Sequence, residues 1–159
     1  MPPLPRACAF NARVSSLNGV EPLAGGAYYA ASKFAIEGFS ASLAAEVAHL
    51  GIGVTIIEPA PTRTRFLKSP SAKWAGEIPD YAQSVGKVRT MLRELDNKQP
   101  VDPRRAARVI VDSIRGDNPP LHLPLGRLAT EQIRHVLGER LEEVAALSGL
   151  SATADFSPP

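Results

Sequence analysis

The chain is poor in the residues that build disulfides and metal clusters. Its 159 residues include one cysteine, Cys8, so no intramolecular disulfide can form. The three histidines, His49, His122 and His135, are far apart in the sequence and share no ligand spacing. Each is more typical of a surface or hydrogen-bonded helix residue than of a metal ligand. The sequence therefore predicts no metal site.

Long apolar runs and a strong charge of one sign are also missing. No stretch approaches the roughly 20 apolar residues that a membrane span needs. The proline-rich start, MPPLPRACAFNAR, lacks the apolar core of a signal peptide. The net charge is only +2, and the basic region 87–115 is more typical of a solvated helix face than of a nucleic-acid surface. We therefore expect a cytoplasmic protein with no membrane and no nucleic-acid partner.

The sequence pattern predicts strands and helices in alternation. The length of the chain is suited to one domain. Strands are predicted within residues 7–16, 52–60 and 118–126, and helices over 28–50, 84–95, 103–115 and about 130–147. Gly51 stops the first helix, and Asp102 followed by Pro103 is a typical helix start. This alternation indicates an α/β fold with a parallel sheet and helices on its faces.

One pair of residues on the first helix suggests chemistry. Tyr29 and Lys33 are four residues apart, so their side chains leave the same face of a helix. A phenol is a poor acid or base at neutral pH, but a nearby ammonium favours the phenolate. Tyr28 points about 100° away and cannot share the lysine in the same manner. Tyr29 is therefore a candidate proton donor or acceptor, although an exposed pair without function would show the same spacing.

The sequence segments around Tyr29 and Lys33 resemble those of a known protein family. Ser16 ends the first predicted strand, and the turn EPAPTRT follows the buried strand. Ligands of doubly wound sheets bind at these carboxyl ends of strands. Together, VSSLNG, YAASKFAIEGFSASLAAEVAHLGIGVTIIEPAPTRTRF and DPRRAARVIVDSI closely resemble the short-chain dehydrogenase/reductase family. The resemblance covers most of residues 13–147, and the middle segment is the most specific.

The resemblance implies roles for individual residues. Tyr29 would be the catalytic acid/base, Lys33 would activate it and hold the nicotinamide ribose, and Ser16 would hydrogen-bond the reacting oxygen. Ser15, next to it, would be off the site. The cofactor would be NAD or NADP, and the reaction a hydride transfer between nicotinamide and a small secondary alcohol or ketone.

The turn after the buried strand matches the family's Pro-Gly-x-x-x-Thr pattern with one departure. Pro59, Thr62 and Thr64 would lie against the cofactor, with Thr64 on the nicotinamide carboxamide. Ala60 stands where the family has glycine. If that backbone needs a positive φ, Ala60 carries a strain of about 1 kcal/mol.

The front of the family pattern is not found. The chain has no G-x-G-x-x-G segment between a strand and a helix, and Asn11 and Asn18 are too close to Ser16 to be the family's catalytic asparagine. The resemblance therefore implies a Rossmann-type doubly wound sheet reduced to its C-terminal strands and helices. We expect a single partial domain over residues 1–159, with an irregular start at 1–13 and a loose tail at 148–159.

Two questions stay open at the level of sequence. The chain is either the catalytic half of an oxidoreductase, inactive by itself, or a non-catalytic remnant or interaction module that kept the motif; its open sheet edge would favour a homo-oligomer. Residues 65–100 correspond to the family's substrate lid. Apolar residues of this segment could line a pocket or belong to the core: Phe66, Leu67, Trp74, Tyr81 and Met91.

Overall fold

A computed structural model describes residues 9–68 and 76–156. Its centre is a parallel sheet of three strands, β1 (Phe10–Val14), β2 (Gly53–Pro59) and β3 (His122–Leu125), in the order β1-β2-β3. The α/β fold with a parallel sheet is confirmed. The predicted strand residues 7 and 8, and most of the predicted irregular start, lie outside the described residues.

The position of each strand explains its composition. β2 pairs with both neighbours and is almost entirely buried, which is why it reads as an uninterrupted apolar run. Among the strands of the described chain, β1 pairs only with β2. This edge position accommodates Asn11 and Arg13 in β1, two polar residues that are unusual in a buried parallel strand.

The first helix, α1 (Ala27–Val47), packs against β1 and β2. A short 3-10 turn, Ala48–Leu50, continues it to Gly51, whose φ of 70° lies in the left-handed region. Glycine reaches this conformation without the steric cost that a Cβ imposes. The predicted stop at Gly51 is therefore confirmed.

In the described ranges, α1 is followed by three more α-helices, α2 (Lys87–Leu95), α3 (Pro103–Arg115) and α4 (Arg127–Ala152). α2 begins three residues later than predicted because the chain first winds through a wider π-helical turn, Ala82–Gly86. The predicted cap of α3 is confirmed, since the Asp102 carboxylate accepts the backbone N–H groups of Arg104 and Arg105 at 2.7 and 3.2 Å.

The prediction of a loose tail from residue 148 is wrong for its first residues, because α4 continues to Ala152. Residues 141–150 of this helix are all exposed. Because this part of the helix buries no apolar face, the sequence pattern does not show where the helix ends. The run of alanine, leucine and glutamate in this part of α4 has high intrinsic helix propensity, which accounts for its length. Residues 157–159 lie outside the described part.

A small apolar core connects the end of β1, the end of β2 and the start of α4: Leu17, Ala60, Ala129 and Ile133. Ala60 is 2% exposed, and Asn97 is the only described non-glycine residue with a positive φ. Alanine at position 60 therefore carries no left-handed strain, and its methyl group contributes to the core instead.

The predicted lid is only partly described, because residues 69–75, including Trp74, lie outside the described ranges. Phe66, Tyr81 and Met91 are each about half exposed, so they do not belong to the core. Within residues 9–68 and 76–156, no helix has both the length and the apolar character that a bilayer crossing would require.

Candidate active site

The two adjacent tyrosines at the start of α1 have different environments. Tyr28 is 96% exposed, whereas Tyr29 is 36% exposed and shares its helix face with Lys33. The Tyr29 ring packs against Phe66, with the ring centres 5.8 Å apart and the planes tilted by 48°. The structure thus places Tyr29, and not Tyr28, in a partly enclosed position.

Lys33 connects this helix face to the end of β1. Its Nζ donates a hydrogen bond of 3.1 Å to the Val14 carbonyl and lies 5.6 Å from the centre of the Tyr29 ring. Burial lowers the pKa of Lys33 below its ordinary value of 10.5. An ammonium held in this position places a positive charge beside Tyr29 and at the strand end two residues before Ser16.

Ser15 and Ser16 follow β1 and have different partners. The Ser15 amide donates to the Ile57 carbonyl at 2.8 Å, and the Ser15 hydroxyl lies 3.4 Å from the Lys33 carbonyl of α1. The Ser16 hydroxyl accepts the Asn18 amide at 3.1 Å. Since it is the acceptor in that bond, the Ser16 hydroxyl retains its proton for donation to another oxygen.

The contacts of the described residues do not join Ser16 directly to Tyr29. The connection runs through Val14, which precedes Ser16 by two residues and receives the Lys33 hydrogen bond. Ser15, predicted to be off the site, is 2% exposed and contacts the helix that carries Tyr29 and Lys33. Apart from the proximity of Ser15 to Ser16, no local pattern in the sequence signals this contact.

The turn after β2 begins at Pro59, the last residue of that strand, and its two threonines differ in what they offer a ligand. The Thr62 hydroxyl donates to the Ala60 carbonyl at 2.9 Å, so its proton is already used. The Thr64 hydroxyl accepts the Phe66 amide at 3.3 Å and keeps its proton free to donate. Of the two, Thr64 is the better placed to bind a polar group.

Two glutamates near this site were not singled out in the sequence. Glu37, one helical turn beyond Lys33 on α1, and Glu58, on β2, both approach His122 on β3. Neither residue carries a recognisable sequence signal, because the three positions come together only through the pairing of β2 with β3 and the packing of α1 on the sheet.

Comparison with known proteins identifies relatives of this chain. The short chain dehydrogenase family model matches residues 12–74. An uncharacterized oxidoreductase of Schizosaccharomyces pombe, C162.03, is 33% identical over 150 residues, which are 92% of this chain and 51% of that protein. Retinol dehydrogenase 8 of Bos taurus is 36% identical over 114 residues, covering 68% of this chain and 36% of that protein.

The solved structure of a short-chain dehydrogenase from Streptomyces avermitilis superposes with a TM-score of 0.82 at 34% identity, over 92% of this chain and 52% of that chain. The chain belongs to the short-chain dehydrogenase family. It spans about half the length of the Schizosaccharomyces pombe and Streptomyces avermitilis proteins.

The family implies a nicotinamide cofactor, and the described residues fit one end of it. Lys33 supplies a cation, and Thr64 supplies a free hydroxyl donor at the carboxyl end of a central strand, where such ligands bind. Tyr29 offers a partly exposed phenol on the same helix face as Lys33. These groups suit the nicotinamide and its ribose, while no glycine-rich phosphate loop occurs in the sequence.

Proposed function

We propose that this chain supplies the catalytic residues of an NAD(P)-dependent oxidoreductase that interconverts a secondary alcohol and a ketone. The observation that carries the proposal is the position of Lys33, whose Nζ lies beside the Tyr29 ring and is hydrogen-bonded to the strand end that leads into Ser16. The substrate would be a small alcohol or carbonyl compound in the cytoplasm.

Each residue has a distinct part in the proposed reaction. When bound, the nicotinamide would accept hydride from the alcohol carbon or return it. Tyr29 would take the hydroxyl proton during oxidation and give it back during reduction. Ser16 would donate its free hydroxyl proton to the substrate oxygen, and Lys33 would hold the ribose and keep a positive charge beside Tyr29.

Cofactor affinity is expected to require more than this chain. The nicotinamide end of the cofactor would be bound by Thr64, Tyr29 and Lys33, beside the turn that contains Pro59 and Thr62. The pyrophosphate would need backbone N–H groups from outside this set of residues. We therefore propose that the chain alone binds NAD(H) and NADP(H) weakly and is inactive. Calorimetry giving a Kd of about 1 μM, equivalent to about −8 kcal/mol, would contradict this.

The proposed role of Tyr29 can be tested in a hybrid enzyme, in which the dinucleotide-binding half of a related short-chain dehydrogenase is fused before this chain. The measurement is kcat/KM for oxidation of an alcohol that the hybrid accepts. Tyr29→Phe removes the proton-transferring hydroxyl and should lower kcat/KM by about 10²–10⁴-fold.

Tyr28→Phe is the matched control, because it removes the same hydroxyl from the neighbouring exposed tyrosine. It should retain most of the activity. If Tyr28→Phe is the inactive variant, the assignment of the motif is wrong. If both variants remain active, Tyr29 is not the acid/base.

A further inference from the structure

A cluster of three ionisable side chains lies between α1 and the sheet. Glu37 comes from α1, Glu58 from β2 and His122 from β3. The pairing of Ile56 with His122 places Glu58, two residues after Ile56, on the same face of the sheet as His122. The helix α1 packs against this sheet and brings Glu37 to the same place.

The shorter contact of the cluster is a hydrogen bond, and the spacing of the three side chains also suits a metal ion. His122 Nδ1 lies 3.0 Å from Glu58 Oε1 and 3.7 Å from Glu37 Oε2. One ligand-type atom from each residue lies within 4.8 Å of the others. The ligands of tetrahedral Zn²⁺, each about 2.0–2.1 Å from the ion, are about 3.4 Å apart. The two measured distances bracket this spacing, and the longer one exceeds a hydrogen bond.

Within the described residues, His122 is the ion-pair partner of both carboxylates of the cluster. The Glu58 side chain is 2% exposed and that of Glu37 is 13% exposed. Burial raises the pKa of both carboxyl groups, whereas the nearby Ser15 hydroxyl lowers the pKa of Glu37 and the nearby His122 lowers the pKa of both. In the described part of the chain, no lysine or arginine forms an ion pair with either carboxylate.

One carboxylate oxygen of the cluster is buried without a hydrogen-bond donor. Glu58 Oε2 is buried and has no hydrogen-bond partner among the described residues. The other oxygen of the same carboxylate is the one beside His122, so this unpartnered oxygen also lies at the cluster. A buried carboxylate oxygen without a donor is costly, and a bound cation would remove that cost.

We propose that Glu37, Glu58 and His122 bind a divalent cation of the zinc class, through two carboxylate oxygens and one imidazole nitrogen. Three protein ligands leave a fourth position for water, and the half-exposed His122 side chain leaves this position accessible to solvent. An imidazole ligand favours Zn²⁺ over Mg²⁺ or Ca²⁺. The ion would join α1 to β2 and β3, because each ligand comes from a different element.

Isothermal titration of the tag-free chain with ZnCl₂ tests the proposal directly. We expect one zinc ion per chain, a rise in Tm that saturates with zinc, and no displacement by an excess of Mg²⁺. His122→Gln should weaken zinc binding by at least about a hundredfold, since even partners outside the ligand set contribute 10–100-fold. Glu58→Gln keeps the shape of a buried side chain and should have the same effect.

His135→Gln is the matched control, because His135 pairs with Glu139 at 3.5 Å on the exposed surface of α4. It should leave zinc binding unchanged. Circular dichroism establishes whether each variant is folded, and the half-exposed position of His122 makes its variant the one least dependent on packing. Zinc binding that is unsaturable in the unmodified chain, or equally tight in folded His122→Gln, would overturn the proposal.

Discussion

The Nζ of Lys33 lies 5.6 Å from the centre of the Tyr29 ring while it donates a hydrogen bond of 3.1 Å to the Val14 carbonyl. The lysine thus links the helix to a strand 19 residues earlier in the chain. This link positions a cation between the tyrosine and the strand end that leads into Ser16.

Replacing Lys33 should therefore reduce activity in the hybrid enzyme. Lys33→Met removes both the charge beside Tyr29 and the hydrogen bond to Val14, and we expect kcat/KM to fall by at least about 10²-fold. Lys68→Met is the control, since the ion pair that the described residues show for Lys68, to Asp96 at 3.0 Å, leaves the lysine side chain 60% exposed and contributes little. Equal activity of the two variants would rule out the proposed role of Lys33.

Alanine substitutions at Ser15 and Ser16 should affect different properties, the stability of the fold for Ser15 and catalysis for Ser16. Ser16→Ala removes the hydroxyl proposed to bind the substrate oxygen, so kcat/KM should fall by about 10²-fold or more in the hybrid. Ser15→Ala removes a buried hydroxyl near the Lys33 carbonyl and should cost about 1 kcal/mol of unfolding free energy, with a mild effect on kcat/KM. Urea unfolding and steady-state kinetics on both variants give the comparison, and the opposite pattern would exchange the two roles.

The cap of α3 should make stability depend on pH. Backbone N–H groups of Arg105 and Arg104 hold the pKa of Asp102 below its ordinary value of 3.8. A lowered folded-state pKa means that the ionised cap stabilises the fold above pH 3.8 and that this contribution is lost as pH falls through the folded value. Asp102→Ala should lower Tm by a few degrees at neutral pH, and the difference should shrink in acid.

Asp112→Ala is the control for the cap, because Asp112 lies in the same helix but away from its start. Thermal melts of both variants between about pH 3 and pH 7 provide the measurement. If Asp102→Ala lowers Tm by the same amount at every pH, the prediction is wrong.

Replacing two of the glycines by alanine should change the free energy of unfolding in opposite directions. Gly126 has a φ of 91°, and a Cβ there would lie 2.7 Å from Val101 Cγ2, so Gly126→Ala should destabilise the chain by about 1–3 kcal/mol. Gly138 is inside α4 with no heavy atom within 4 Å of an added Cβ, so Gly138→Ala should stabilise it by up to about 1 kcal/mol. Urea unfolding of both variants measures the contrast, and equal shifts would refute it.

The sequence by itself determined the parts of this protein that depend on local pattern. The buried run of β2 and the apolar spacing of α1 predicted a parallel α/β fold, and the spacing of Tyr29 and Lys33 placed them on one helix face. The motif around these two residues was sufficient to indicate the family. These features could be predicted because each depends on residues within a few turns or one strand.

Only the tertiary structure decided which distant residues meet. The Lys33 bond to Val14 spans 19 residues, and the contact between His122 and Glu58 spans 64. The sequence spacing of the histidines did not indicate a metal site, because the residues near His122 in space are far from it in the sequence. Strand order, register and helix packing determine these contacts, and a one-residue change of register would move His122 to the other face of the sheet.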